Sequence, residues 1–220
     1  MSKWLKEKEA VLATAQQMAA KGLTVGTGGN ASLRLPSGAG QELLAITPSS
    51  RYYDTMTPED ILVIDFQGNM IAGDLPPSIE TELHIAIYRA RPEVSAVLHT
   101  HSVFASAVAV AGREIPPILG DQVAFLGGGI KLAEHAPDGG HIPTGNIIAA
   151  LGERSGVLLP NHGAVATGHT PKDALTAAEL IEKTARIYLL ALEAGNVNPL
   201  PPAALTELTA IYRKLQAGIA

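Results

Sequence analysis

The 220-residue chain contains no cysteine. That excludes a disulfide framework and any thiolate metal site, and it leaves histidine and carboxylate as the strong ligands open to a metal ion. Positive charge is in deficit as well: 16 Lys and Arg against 21 Asp and Glu give a formal charge of -5. Without a basic stripe to neutralise phosphates, no nucleic acid is expected as a partner. Long apolar runs are missing too. The longest, around Val103 to Ala111, falls far short of the roughly 18 residues that a bilayer span requires, so no membrane association is expected. The N-terminal stretch Met1-Ser2-Lys3-Trp4-Leu5-Lys6-Glu7-Lys8-Glu9 is charged throughout and lacks an apolar h-region, which points to a cytoplasmic protein.

What is present reads as one domain over residues 1–220, long enough for a sizeable core and short for two. Residues 3–21 have the periodicity of an amphipathic helix, with Trp4, Leu5, Val11, Leu12, Ala15 and Met18 near one face and Gly22 as its stop. Strands are expected over 23–25, 31–35, 42–46, 61–65 and 69–72, separated by Gly, Pro and Ser turns. Thr57-Pro58-Glu59-Asp60 suits a short helical turn. A better helix opens with Ser78 as N-cap and runs to about residue 90, where Arg91-Pro92 closes it. A helical segment is expected over 102–110, a short strand over 121–125 and a long Gly-, Pro- and His-rich loop over 127–145. Beyond it follow a helix at 146–151, strands at 157–159 and 164–166, and helices at 170–194 and 203–216. Regular βαβ alternation is absent, so an α/β fold with a mixed sheet and helices on both faces fits better than a doubly wound parallel sheet.

The apolar run Val94-Ser95-Ala96-Val97-Leu98 reads as a buried strand that ends in His99-Thr100-His101. Side chains two apart on a strand project from the same surface, so both imidazoles can meet one ion. His162, in Leu159-Pro160-Asn161-His162-Gly163, lies in its own strand-like segment before a glycine turn and supplies a third ligand. Three imidazoles with an open position suit catalytic zinc; manganese, cobalt and iron are other divalent ions that such a site accepts. His84, His135, His141 and His169 read as ordinary structural histidines.

Three polar segments frame these ligands. Gly26-Thr27-Gly28-Gly29-Asn30 can expose backbone N–H groups to an anion, although it lacks the lysine of a P-loop. Thr47-Pro48-Ser49-Ser50 offers hydroxyls after a strand, and Pro77-Ser78-Ile79-Glu80 places a serine at a helix N-terminus, where phosphate is attracted. Converging, they would form a phosphate pocket. Glu80, in the first turn of that helix, is a candidate to alternate between metal ligand and proton carrier. Glu82 and Glu179 read as solvated helix positions.

With Gly28-Gly29-Asn30, Ile46-Thr47-Pro48-Ser49, Ser78 to His84, His99-Thr100-His101-Ser102 and Asn161-His162-Gly163 in this order, the chain resembles the class II aldolase family of the L-fuculose-phosphate aldolase kind from about residue 5 to residue 195. The resemblance implies a three-layer α/β/α fold with a mixed, largely antiparallel central sheet. It also implies a homotetramer with sites between subunits, one zinc ion on His99, His101 and His162, and Glu80 as catalytic acid/base. Phosphate contacts map to Gly29, Asn30, Ser49, Ser50 and Ser78. The family's second serine before the glutamate is replaced by Ile79, and a glycine of the threonine-proline motif by Ser50. Its aldehyde-side tyrosine aligns near Gly120, which leaves the neighbouring Asp121 as a substitute acid or base; Tyr212 is a loose match for a C-terminal tyrosine. The activity implied is reversible cleavage of a ketose 1-phosphate to dihydroxyacetone phosphate and an aldehyde. The same site chemistry also serves methylthioribulose-1-phosphate dehydratases and related decarboxylases, and the fold is shared by non-catalytic, adducin-like interaction domains.

Overall fold

The computed structural model describes residues 3–36, 40–136 and 142–218. The chain divides into two compact units, one of Met1–Thr100 with Thr167–Leu175 and one of His101–Ala166 with Thr176–Ala220.

The first unit opens with helix α1 (Leu5–Ala20), which buries Val11, Leu12, Ala15 and Met18 and packs on strands β1 (Asn30–Arg34) and β2 (Leu43–Ile46). The helix ends in a reciprocal pair of backbone bonds, Gly22 N–H to the Ala19 carbonyl at 2.9 Å and Leu23 N–H to the Met18 carbonyl at 3.0 Å. Gly22 takes φ +71°, the left-handed conformation this closure demands. Leu23 is used up in that closure and Gly26 turns again at φ +64°, so the strand expected over 23–25 is a turn. The 3-10 turn Pro58–Asp60 follows, then strands β3 (Leu62–Asp65) and β4 (Met70–Ala72). The Asp65 carboxylate accepts the N–H groups of Gln67 at 2.9 Å and Asn69 at 2.8 Å and so closes the turn between them.

Helix α2 (Thr81–Ala90) begins later than its serine suggests. Thr81 donates both its N–H and its hydroxyl to the Ser78 carbonyl, which leaves Glu80, not Ser78, at the N-cap. Strand β5 (Ala96–Thr100) completes the unit. Its strands run in the order β4-β3-β2-β1-β5, every pair antiparallel. All residues of β2, β3 and β5 are buried, which explains why these segments read as continuous apolar runs without alternation. The register places Asn30 directly opposite His99.

The second unit holds helix α3 (Val103–Val110), helix α4 (Gly120–Leu126), strand β6 (Lys131–Leu132), helix α5 (Thr144–Leu151) and strands β7 (Gly156–Leu159) and β8 (Gly163–Gly168). Helices α6 (Pro171–Glu193) and α7 (Pro202–Gln216) follow. Strand β7 is antiparallel to β8 and parallel to β6. Residues 121–125, expected as a strand, lie in α4. The Gln122 side-chain carbonyl accepts the N–H groups of Ile118 at 2.9 Å and Leu119 at 3.2 Å, satisfying donors at the helix start that a short apolar pattern does not reveal. The expected loop over 127–145 is interrupted by β6; its His141 lies outside the described residues. Among the described residues no helix is long and apolar enough to cross a membrane. The strand set is mixed and largely antiparallel, as expected.

Candidate metal centre

His99 is fully buried near the end of β5, held by the pairing of that strand with β1. Its Nε2 lies 3.3 Å from Oε2 of Glu80. His101 follows after one residue and leads into α3, whose start is clamped by Glu182. That carboxylate accepts the N–H of Phe104 at 3.0 and 3.1 Å and that of Ala105 at 2.9 Å. His162 does not sit on a strand; it closes the turn between β7 and β8, where Asn161 adopts φ +55° and the His162 N–H reaches the Leu159 carbonyl at 3.2 Å. Ser106 donates to the His162 carbonyl at 3.2 Å. Nε2 of His101 and Nε2 of His162 stand 3.0 Å apart.

Glu80, His99, His101 and His162 each offer one ligand atom, and these atoms all lie within 4.8 Å of one another. Zinc–ligand bonds of about 2.0–2.1 Å in a tetrahedron put neighbouring donors about 3.3 Å apart. The separations of 3.3 Å for Glu80–His99 and 3.0 Å for His101–His162 fit that spacing. Burial, and then the charge of His162, lowers the pKa of His101 and favours the neutral imidazole that a metal requires.

Residues 9–189 match the family described as Class II Aldolase and Adducin N-terminal domain. The chain belongs to this family. The 5-deoxy-D-ribulose 1-phosphate aldolase of Bacillus thuringiensis serovar kurstaki is 36% identical over 196 residues, covering 89% of this chain and 90% of that protein. The L-fuculose phosphate aldolase of Escherichia coli K12 is 32% identical over 206 residues, with coverages of 94% and 92%. Among solved structures, an L-fuculose 1-phosphate aldolase superposes with a TM-score of 0.86 at 30% identity, covering 97% of this chain and 98% of that one. The fold is therefore that of the class II aldolases. Within the family the chain stands with the enzymes, the metal-dependent carbon–carbon lyases, whose length it shares almost entirely.

In this class II aldolase the segments expected to hold phosphate meet in the first unit. The Ser49 N–H donates to the Pro76 carbonyl at 2.9 Å, and Pro48 forms an isolated bridge with Pro77. The Asn30 amide nitrogen donates to Ser78 Oγ at 3.0 Å and to Glu80 Oε2 at 2.6 Å. Ser49 and Ser50 hydroxyls are 3.3 Å apart and exposed. Ser50 has φ +57°, a left-handed backbone that glycine adopts freely, at a cost of about 1 kcal/mol in strain. Ile79 points outward, 92% exposed.

Gly29 has φ +69°, and a Cβ there would stand 2.6 Å from the His99 carbonyl oxygen. Gly29→Ala is therefore expected to destabilise the protein by about 2–4 kcal/mol, readable as a lowered urea midpoint. An unchanged midpoint would mean that the loop can move off β5. The carbonyls of Gly28 and Gly29 are tied by the buried Tyr53 hydroxyl, at 3.1 and 2.6 Å, and burial raises the pKa of that phenol.

Asp121 stands in the first turn of α4, where it pairs with Lys183 and accepts the Gln122 N–H at 3.0 Å; it is not a member of the Glu80 and histidine cluster. Tyr212 is buried, its hydroxyl donating to the Glu153 carbonyl at 2.7 Å and lying 3.0 Å from Ser155 Oγ, and its ring fills the space beside Gly127. It is an anchor for α7. His84, read from the sequence as structural, is buried against Asn30 itself, with Nε2 2.5 Å from Asn30 Oδ1 and Nδ1 2.6 Å from Ser32 Oγ. The spacings put Asn30 with Ser32 on one strand face and Glu80, His84 and Tyr88 at four-residue steps, but nothing in the sequence says that these two faces meet.

Burial drives the His84 pKa down to about 3. An imidazole whose pKa is depressed by folding binds its proton more readily in the unfolded chain. Its contribution to stability is complete above the unfolded value near 6.5 and is lost as pH falls towards 3, at about 1.4 kcal/mol per pH unit. Thermal melts at steps of pH from 7 to 4 should show a shallower decline for His84→Leu than for the parent; equal slopes would mean the ring is protonated in the fold.

Proposed function

We propose that residues 1–220 act as one class II aldolase-like domain that reversibly cleaves a ketose 1-phosphate to dihydroxyacetone phosphate and an aldehyde. One observation carries the reading: the Asn30 amide bonds at once to Ser78, of the phosphate segments, and to Glu80, of the metal cluster. A single side chain thus joins the place for the phosphate to the place for the reacting carbons, which suits a substrate whose phosphate-bearing carbon is separated from the reacting carbon by the carbonyl carbon alone.

Zinc is the resident ion we infer, on His99, His101 and His162; when bound it would act as the Lewis acid that stabilises negative charge beside the ketose carbonyl. With the ion in place Glu80 would be one of its ligands before substrate binds; with substrate bound, Glu80 would carry the proton to and from the carbon that becomes the hydroxymethyl carbon of dihydroxyacetone phosphate. Asn30, the Gly29 backbone and the hydroxyls of Ser49, Ser50 and Ser78 hold the phosphate and fix which carbon faces Glu80. Asp121, supplied by a neighbouring subunit of a homotetramer, takes the proton of the substrate hydroxyl as the carbon–carbon bond breaks. Nothing favours the dehydratase, decarboxylase or interaction-domain readings over this one.

The relatives' names point to deoxyketose 1-phosphates as the first substrates to try. Purified protein incubated with 5-deoxyribulose 1-phosphate and, separately, L-fuculose 1-phosphate should release dihydroxyacetone phosphate from at least one of them, with the second product being acetaldehyde or lactaldehyde. Loss of water without carbon–carbon cleavage would sink the aldolase reading.

A further inference from the structure

We propose that His84 is a positioning residue for the substrate phosphate: backed by Ser32 and Tyr88, it locks the Asn30 amide with its N–H groups turned towards Ser78 and Glu80. The proposal rests on the preceding reading in taking Asn30 as a phosphate contact and Glu80 as the group that moves a proton.

The hydrogen bonds allow one direction of donation. Asn30 Nδ2 faces the Glu80 carboxylate, which can only accept, so the amide oxygen must face His84. That oxygen accepts from His84 Nε2–H. A neutral ring then has a bare Nδ1, which must take the single hydroxyl proton of Ser32 at 2.6 Å. Ser32 Oγ in turn accepts from the Tyr88 hydroxyl at 2.7 Å, a shorter contact than the 3.3 Å from that hydroxyl to the Ser95 carbonyl. His84 and Tyr88 are fully buried, and Asn30 and Ser32 are 2% and 3% exposed, so no competing water partner is expected along this row. The desolvation that keeps the ring neutral also keeps the row in one sense.

The lock has a chemical purpose. Asn30 rotated by half a turn would present its carbonyl oxygen to Glu80 and to a phosphate, both anionic. Glu80 is itself called on to move during turnover, so it cannot hold Asn30 throughout the cycle. His84 stays behind, tied to β1 through Ser32.

Two measurements on the zinc-loaded full chain test this. Long-range proton–nitrogen correlation spectra of protein labelled in histidine nitrogen should show His84 as the Nε2–H tautomer with Nδ1 in the chemical-shift range of a bare acceptor; an Nδ1–H tautomer overturns the proposal. In the condensation direction with acetaldehyde, His84→Leu should raise KM for dihydroxyacetone phosphate about tenfold, the scale of one lost hydrogen bond. The KM for acetaldehyde and the zinc content should be unchanged, and His84→Gln, which restores a donor to Asn30, should recover most of the loss. An unchanged KM, or equal losses in zinc and in both KM values without rescue by glutamine, overturns it. If His84→Leu does not fold, Ser32→Ala serves instead: it removes the proton donated to Nδ1 and should shift the tautomer signals and raise the same KM. Should the parent protein prove to lack aldol chemistry, the function proposed above fails while the tautomer spectrum still decides the direction of the row.

Discussion

His101→Ala is expected to leave the fold in place, to remove the bound metal and to lower kcat/KM for ketose 1-phosphate cleavage by on the order of a thousandfold or more, about 4 kcal/mol of transition-state stabilisation. His101 is half-buried at the start of α3, outside the packed strand interior, and the clamp of Glu182 on Phe104 and Ala105 does not depend on its ring. What the substitution takes away is one of two imidazole nitrogens set 3.0 Å apart. Two of the remaining ligands, Glu80 and His99, form a pair that a cation would still visit, but with much lower affinity. Metal analysis, a thermal melt and steady-state kinetics on the same preparation check the three parts. Metal content equal to that of the parent would remove His101 from the centre, and full activity with metal below a tenth of an ion per chain, roughly the loss expected for a broken site, would remove the metal from the reaction.

Glu80→Gln should separate the ligand role of this residue from its proton role. Glutamine keeps the size of the side chain and an oxygen that can face the metal, so zinc content should change little. It cannot carry a proton, and kcat should fall by roughly a hundred- to ten-thousandfold, the range for a lost general acid or base. Exchange of the dihydroxyacetone phosphate hydroxymethyl proton with deuterated water should stop. The Asn30 contact at 2.6 Å would weaken because a charge-assisted bond becomes a neutral one, so a modest rise in KM should accompany the fall in kcat. Normal proton exchange in this variant would assign the proton transfer to another group.

Much of this is legible in the sequence itself. The run ending in His99-Thr100-His101 announced the buried strand that carries His99, because strand periodicity is local; β5 ends at Thr100, so His101 stands just beyond it and the strand argument for the pair reaches only its first member. The β2 and β3 segments were equally plain, since burial on both faces writes an unbroken apolar run. The short elements were not. Residues 121–125 end in the short apolar run Val123-Ala124-Phe125, which passes for a strand, yet their helix is started by a Gln122 side-chain bond that no periodicity records. His162 looked like a strand residue because the turn that holds it depends on the left-handed Asn161. His84 was the largest omission. Its partners Ser32 and Asn30 lie 52 and 54 residues away, brought to it by the placement of β1 beside α2, and a lone histidine on an apolar helix face carries no local mark of that. The phosphate segments were each weak alone; what joins them is the bridge of Pro48 with Pro77 and the reach of one asparagine amide.

The central claim is that Glu80, His99, His101 and His162 hold one divalent ion at which a ketose 1-phosphate is cleaved. The most direct measurement is a metal titration of chelator-treated protein, with release of dihydroxyacetone phosphate from 5-deoxyribulose 1-phosphate and from L-fuculose 1-phosphate followed at each step. The account predicts no release before metal is added and a linear rise on adding zinc that breaks at one ion per chain. Undiminished release from the metal-free protein, or one ion bound per chain with release from neither sugar phosphate, would contradict it.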